Sequence, residues 1–135
     1  MITGAGIDLF DVVRMEREVA RQGSHLLDEL FSITEQVSCA TARRPCRSYA
    51  ARFAVKEACF KALGTGKIGR MAWRDIETAT TTGGGLAVTL TGETARVASE
   101  LGVCAIRAAV SMTRDLAMAW VVATGPLAEE RADAV

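Results

Sequence analysis

The chain has 135 residues, half of them apolar, and its 16 basic and 16 acidic side chains cancel to a formal charge of zero. That length fits one domain with a real core, and a neutral chain has no global field to hold nucleic acid or an acidic membrane surface, so any polyanion site must be local. No run approaches the ~20 apolar residues of a spanning helix, and the N-terminus MITGAGIDLFD lacks the basic-then-apolar order of a signal peptide, so a cytoplasmic protein that crosses no membrane is expected.

In chain order, Ile2 to Phe10 reads as a strand whose period of two puts Gly4, Gly6 and Asp8 on one bare, glycine-lined face and Ile7 and Leu9 on the other. Asp11 is placed to cap a helix with Val12, Met15 and Val19 as its apolar stripe and Arg14, Arg17 and Arg21 as a basic one, and Gly23 closes it. Ser24 to Ala42 reads as one or two short helices, with Thr34-Glu35-Gln36 as a helix start. Pro45 suits the first turn of a longer helix, from about Cys46 through Leu63, which Gly64 ends.

Beyond it, Trp73 to Thr80 is expected as a strand, residues 82–85 as a turn and Leu86 to Leu90 as the returning strand of a hairpin. Thr91 is placed to cap a helix through Leu101, ended by Gly102, and two β-rich runs follow, Cys104 to Met112 and Leu116 to Ala123. The connections between several strands are too short for parallel crossovers. The expected fold is therefore α+β, a largely antiparallel sheet packed against a long central helix, in a single domain over residues 1–124 with a frayed tail over 125–135. Four scattered cysteines without a CxxC pair read as reduced small hydrophobes, Trp120 reads as core, and His25, the only histidine, disfavours a zinc or Ser-His-Asp centre.

The stretch FAVKEACFKALGTG, residues 53–66, sets Glu57 and Lys61 within a helix that is apolar nearly all round and hence central. An intrahelical ion pair between these two residues, four apart, explains them without any function. Against that, a half-buried carboxylate flanked by Phe53 and Phe60 meets a desolvation cost that such a pair hardly offsets, and a cation would serve better. The glycine turn that follows lets backbone amides approach a ligand closely, flanked by Lys61 and Lys67. Carboxylate, lysine and glycine turn together suit a metal-phosphate site, although the spacing is not that of a P-loop.

Gly6-Ile7-Asp8, followed some fifty residues on by Arg52-Phe53-Ala54-Val55-Lys56-Glu57-Ala58 and Lys61-Ala62-Leu63-Gly64-Thr65-Gly66, resembles the paired signature of the 4'-phosphopantetheinyl transferases, in particular the small holo-[acyl-carrier-protein] synthase type. Trp73-Arg74-Asp75-Ile76-Glu77 and the run from Val88 to Gly92 extend the likeness, which covers residues 2–123. It implies transfer of phosphopantetheine from coenzyme A to a serine of an acyl carrier protein, with release of adenosine 3',5'-bisphosphate. It further implies Mg²⁺ held by Asp8 and Glu57, with Glu57, directly or through a water, taking the serine proton. Arg52, Lys61, the turn Gly64, Thr65 and Gly66, and Arg114 are implied at the coenzyme, and Arg14, Arg17 and Arg21 at the acidic carrier protein. A homotrimer with sites at subunit interfaces is implied as well, serving fatty-acid or polyketide synthesis.

One stretch departs from the pattern. Where the family commonly has Ser-Leu-Ser-His, this chain has Ser111-Met112-Thr113-Arg114, and the turn that follows is about two residues short. Arg114 can supply a fixed positive charge and a bidentate phosphate contact, but it cannot shuttle a proton near neutral pH. The departure keeps an alternative open, a weak or inactive paralogue that binds carrier protein or coenzyme A. A binding protein unrelated to the family ranks behind it.

Overall fold

The computed structural model describes residues 1–127. Strand β1 (Ile2–Asp11) runs into helix α1 (Val12–Gln22), whose first turn is capped by the Asp11 carboxylate accepting from the Arg14 amide at 3.0 Å. Gly23, at a φ of 60°, ends that helix and gives its amide to Val19. Two short helices follow, α2 (Ser24–Leu30) and α3 (Ile33–Ala40), the second opened by a capping box between Ser32 and Glu35. Helix α4 (Pro45–Leu63) starts with proline in its first turn and stops at Gly64, which is left-handed.

The expected strand from Trp73 is shorter than its sequence suggests. Trp73–Asp75 forms a single 3₁₀ turn, closed by the Asp75 carboxylate on the Ala72 amide, and β2 (Ile76–Thr80) begins after it. The remaining elements are β3 (Leu86–Leu90), α5 (Gly92–Glu100), β4 (Ala105–Met112) and β5 (Leu116–Thr124). Thr91 precedes α5, but the Asp75 carboxylate, not the Thr91 hydroxyl, takes the first-turn amide of Thr94.

Every strand pair is antiparallel. β5 lies between β1 and β4 in one sheet, while β2 and β3 form a separate hairpin sheet. Helix α4 packs on β1 and β5 and buries residues all round its circumference, so it is the central helix of the fold.

The alternation expected in β1 holds, but the glycine face is not bare. It is pressed against α4 so closely that a Cβ on Gly4 would stand 1.9 Å from the Ala62 carbonyl oxygen, and one on Gly6 2.0 Å from that of Ala58. Ile7 and Leu9 therefore point away from the helix and are 46% and 54% exposed. Trp120, paired with Ile7 across the ladder, shares their side of the sheet and is 53% exposed, which corrects its expected place in the core.

Cys39 and Cys59 are buried and reduced as expected, Cys46 is half-buried, and Cys104 is exposed. Gly125 exchanges hydrogen bonds with Met1 at 2.9 Å, and the part of the expected tail from residue 128 onward lies outside the described residues. Among the described residues no helix is long and apolar enough to cross a membrane.

Candidate functional site

The seam between β1 and α4 brings Asp8, Glu57 and Lys61 together. The same glycine contacts that let the strand lie on the helix set Asp8, two residues past Gly6, beside the last turns of α4. Lys61 reaches across the seam, and its Nζ donates to Asp8 Oδ1 and to the Ile7 carbonyl, each at 3.0 Å. The intrahelical pair with Glu57, the function-free alternative, is not formed, and Asp8 and the strand carbonyl take the ammonium instead.

This arrangement leaves negative charge without a close partner. Asp8 Oδ2 is buried with no hydrogen-bond donor. Glu57 is half-buried and, among the described residues, has no hydrogen bond or ion pair. Burial pushes the Glu57 carboxyl above its usual range, the Asp8 charge pushes it further, and Lys61 opposes both. An orphaned buried oxygen beside an unpaired carboxylate fits a divalent cation. Mg²⁺ suits this donor set, since it takes one or two protein carboxylates and completes its shell with waters and substrate phosphate oxygens. No group of three or more potential ligands occurs among the described residues.

Next to the pair opens a pocket of about 410 Å³ with a mixed lining, apolar at Phe10, Met15, Leu26, Leu30 and Phe53. Arg14 and Glu18 of α1 stand among its lining residues, the Arg14 guanidinium 5.4 Å from the centre of the Phe10 ring. Arg17 and Arg21 are exposed on the same helix, and Arg21 is paired with Glu18 at 2.6 Å.

Arg52 and Arg114 stand apart from this group. Arg52 precedes Glu57 by five positions, ~140° around α4. Its buried guanidinium donates to the Thr78 carbonyl and hydroxyl at 2.8 and 2.9 Å and to Ser38 and Thr80 hydroxyls. It lines a second pocket, about 500 Å³, together with Arg43, Arg44 and Arg47. Arg44 donates to Glu16, to Asp115 and to the Arg114 carbonyl at 2.8 Å, and Arg47 donates to the Thr113 carbonyl at 3.2 Å, so the turn bearing Arg114 adjoins this second pocket. Arg114 itself is exposed.

Sequence reading missed Arg43, Arg44 and Arg47. The signal for them was local, three arginines around the proline that opens α4, where the helix start itself favours anions. Gly64, Thr65 and Gly66 continue from the C-terminus of α4, with Gly64 and Gly66 at φ of 78° and 66°, a turn that only glycine adopts freely.

A sequence profile of the 4'-phosphopantetheinyl transferase superfamily matches residues 4–121. A holo-[acyl-carrier-protein] synthase of Desulforudis audaxviator is 44% identical over 131 residues, which are 97% of this chain and 99% of that one. Among solved structures, the holo-[acyl-carrier-protein] synthase of Neisseria meningitidis superposes with a TM-score of 0.84 at 28% identity, covering 92% of this chain and 99% of that chain. The Helicobacter pylori enzyme, solved in complex with coenzyme A, gives 0.77 at 30% identity, with 89% and 99% covered.

Proposed function

The chain belongs to the 4'-phosphopantetheinyl transferase superfamily, and from this we infer that it is a holo-[acyl-carrier-protein] synthase, moving the 4'-phosphopantetheine arm of coenzyme A to a serine of an apo acyl carrier protein. The observation that carries the site assignment is the buried, donorless Asp8 Oδ2 beside a half-buried Glu57 that makes no hydrogen bond or ion pair among the described residues. In the reaction the serine oxygen forms a bond to the phosphorus nearer the pantetheine, and the bond to the departing adenosine 3',5'-bisphosphate breaks.

Glu57, directly or through a water, is our candidate to take the serine proton, since it stands in the pocket beside Asp8 with no hydrogen bond of its own. Asp8 and Glu57 are the proposed Mg²⁺ ligands, and the metal, when bound, would neutralise charge developing on the pyrophosphate. Lys61, which now spends its ammonium on Asp8 and a strand carbonyl, would supply a second positive charge there.

The separation of the two residue groups supports a homotrimeric reading. If each active site sits between copies, the carboxylates of one subunit meet the arginine-lined pocket of the next, where the exposed Arg114 would reach the coenzyme and the buried Arg52 would hold the pocket wall through Thr78 and Ser38. The exposed apolar face made by Ile7, Leu9 and Trp120 favours such an association. Arg14 lines the pocket beside the carboxylates, and with the exposed Arg17 and Arg21 of the same helix it makes a basic stripe that suits the acidic surface of a carrier protein.

The test is the intact mass of a panel of apo carrier proteins, from fatty-acid and from polyketide synthesis, after incubation with this protein, coenzyme A and Mg²⁺. A gain of one phosphopantetheine is expected on at least one carrier, and Asp8→Asn or Glu57→Gln should remove most of the activity without unfolding the protein. Coenzyme A affinity without any mass gain would favour a binding module instead.

A further inference from the structure

Lys56, the residue before Glu57, is wholly buried, and its ammonium has three acceptors from three different segments. Nζ donates to Glu35 Oε1 of α3 at 2.7 Å, to the Leu30 carbonyl at the end of α2 at 2.8 Å, and to the Trp73 carbonyl in the 3₁₀ turn at 3.2 Å. Glu35 is buried as completely. Its Oε1 also accepts the Ser32 amide, and its Oε2 accepts the amide and hydroxyl of Thr78 in β2 at 3.1 and 2.5 Å. Thr78 in turn takes the Arg52 guanidinium.

A buried ion pair is a poor source of stability, because two apolar side chains of similar size often do as well or better. What such a pair does well is fix one geometry, since any displacement leaves a charge buried and unpaired. That matters here because Glu57 has no hydrogen bond of its own to aim it, so its direction is set by the helical phase of α4. Lys56 turns with Glu57, ~100° away on the same helix. Two of its acceptors bear on the site: Leu30 lines the adjoining pocket, and the Trp73 ring packs at 5.0 Å on Phe53, which lines it.

We propose that the Lys56–Glu35 pair is a positioning device, locking the phase of α4 so that Glu57 faces the cation it shares with Asp8 while Leu30 and Trp73 hold the adjoining pocket in shape. The proposal rests on the metal reading above. It is tested with Mn²⁺ as the probe, titrated by electron paramagnetic resonance into protein and coenzyme A without carrier, alongside kcat and KM.

The double variant Glu35→Gln with Lys56→Met removes both charges at similar volume. The expected result is a cooperatively folded protein with Mn²⁺ affinity and kcat each lower by about tenfold or more, the range for a residue that orients a ligand, and KM for carrier protein within about twofold. Val55→Ala, a core truncation on the same helix, should lower stability but leave Mn²⁺ affinity unchanged. Should the double variant fail to fold, Thr78→Val, which keeps both charges paired and removes only the hydroxyl that holds Glu35 Oε2, is read on the same titration, with a smaller fall in Mn²⁺ affinity expected. A folded variant that binds Mn²⁺ as the unsubstituted protein does would overturn the positioning role. If instead the unsubstituted protein binds Mn²⁺ no better than Asp8→Asn, the metal assignment itself is at fault.

Discussion

At the scale of single residues, the seam between β1 and α4 holds two carboxylates against one lysine, and Glu57 bears the cost. Burial and then the Asp8 charge raise its pKa, with Lys61 opposing. A carboxyl whose folded-state pKa lies above its unfolded one contributes stability in full below the unfolded value and loses that contribution as pH rises through the folded value. In metal-free protein, Glu57→Gln, which cannot ionise, should therefore raise Tm at about pH 7 and leave it nearly unchanged at about pH 4. Excess Mg²⁺ should shrink or reverse the gain at the higher pH, because the ion binds the native carboxylate. Thermal unfolding with chelator and with Mg²⁺ checks both signs, and a lower Tm for the variant in chelator would refute the account.

At the scale of elements, the contact that positions the site is the bare backbone of β1 on the backbone of α4. Added methyl groups at Gly4 and Gly6 would meet the carbonyl oxygens of Ala62 and Ala58, atoms of a central helix that cannot swing aside. Gly4→Ala and Gly6→Ala should each destabilise by about 1–3 kcal/mol or more, the usual cost of overpacking. Gly83→Ala, at a hairpin position with nothing within 4 Å, should change little. Urea unfolding measures all three, and Gly6→Ala should also lose transfer activity, since any retreat of the strand carries Asp8 away from Glu57.

At the scale of the whole molecule, two charged regions invite separate tests. Reversing charge at Arg14 and Arg21 should raise KM for the carrier protein and flatten its salt dependence while KM for coenzyme A stays put. An equal loss for both substrates would mean that the stripe does not dock the carrier. The second test concerns the division of the site between copies. If carboxylates and arginine pocket meet across an interface, an Asp8→Asn protein and an Arg43→Glu/Arg47→Glu protein, each nearly inactive, should regain part of the activity when unfolded and refolded together. No recovery in mixed oligomers would place both groups in one subunit's site.

The sequence by itself determined what depends on near neighbours. Asp11 before α1, Pro45 at the start of α4 and Gly64 at its end act through hydrogen bonds and dihedrals within a few residues, so their roles are legible in the order of residues alone. The triad of Asp8, Glu57 and Lys61 is legible too, because two short motifs carry it. Tertiary structure decided which partners those residues take. Nothing within one turn of Lys61 says that it will pair with Asp8, fifty-three positions away, rather than with Glu57. Nor does the pattern of β1 say that its glycine face goes inward and Ile7 outward, since alternation fixes the period of a strand but not its facing. Trp73–Asp75 is a turn because the Asp75 carboxylate caps Ala72 and Thr94 at once. Lys56 reads as an ordinary helical lysine, and only the fold sets Glu35, twenty-one residues earlier, against it. In each case the deciding term is a long-range contact whose energy depends on how strand and helix are registered in space, and that register is set by the packing of the whole chain.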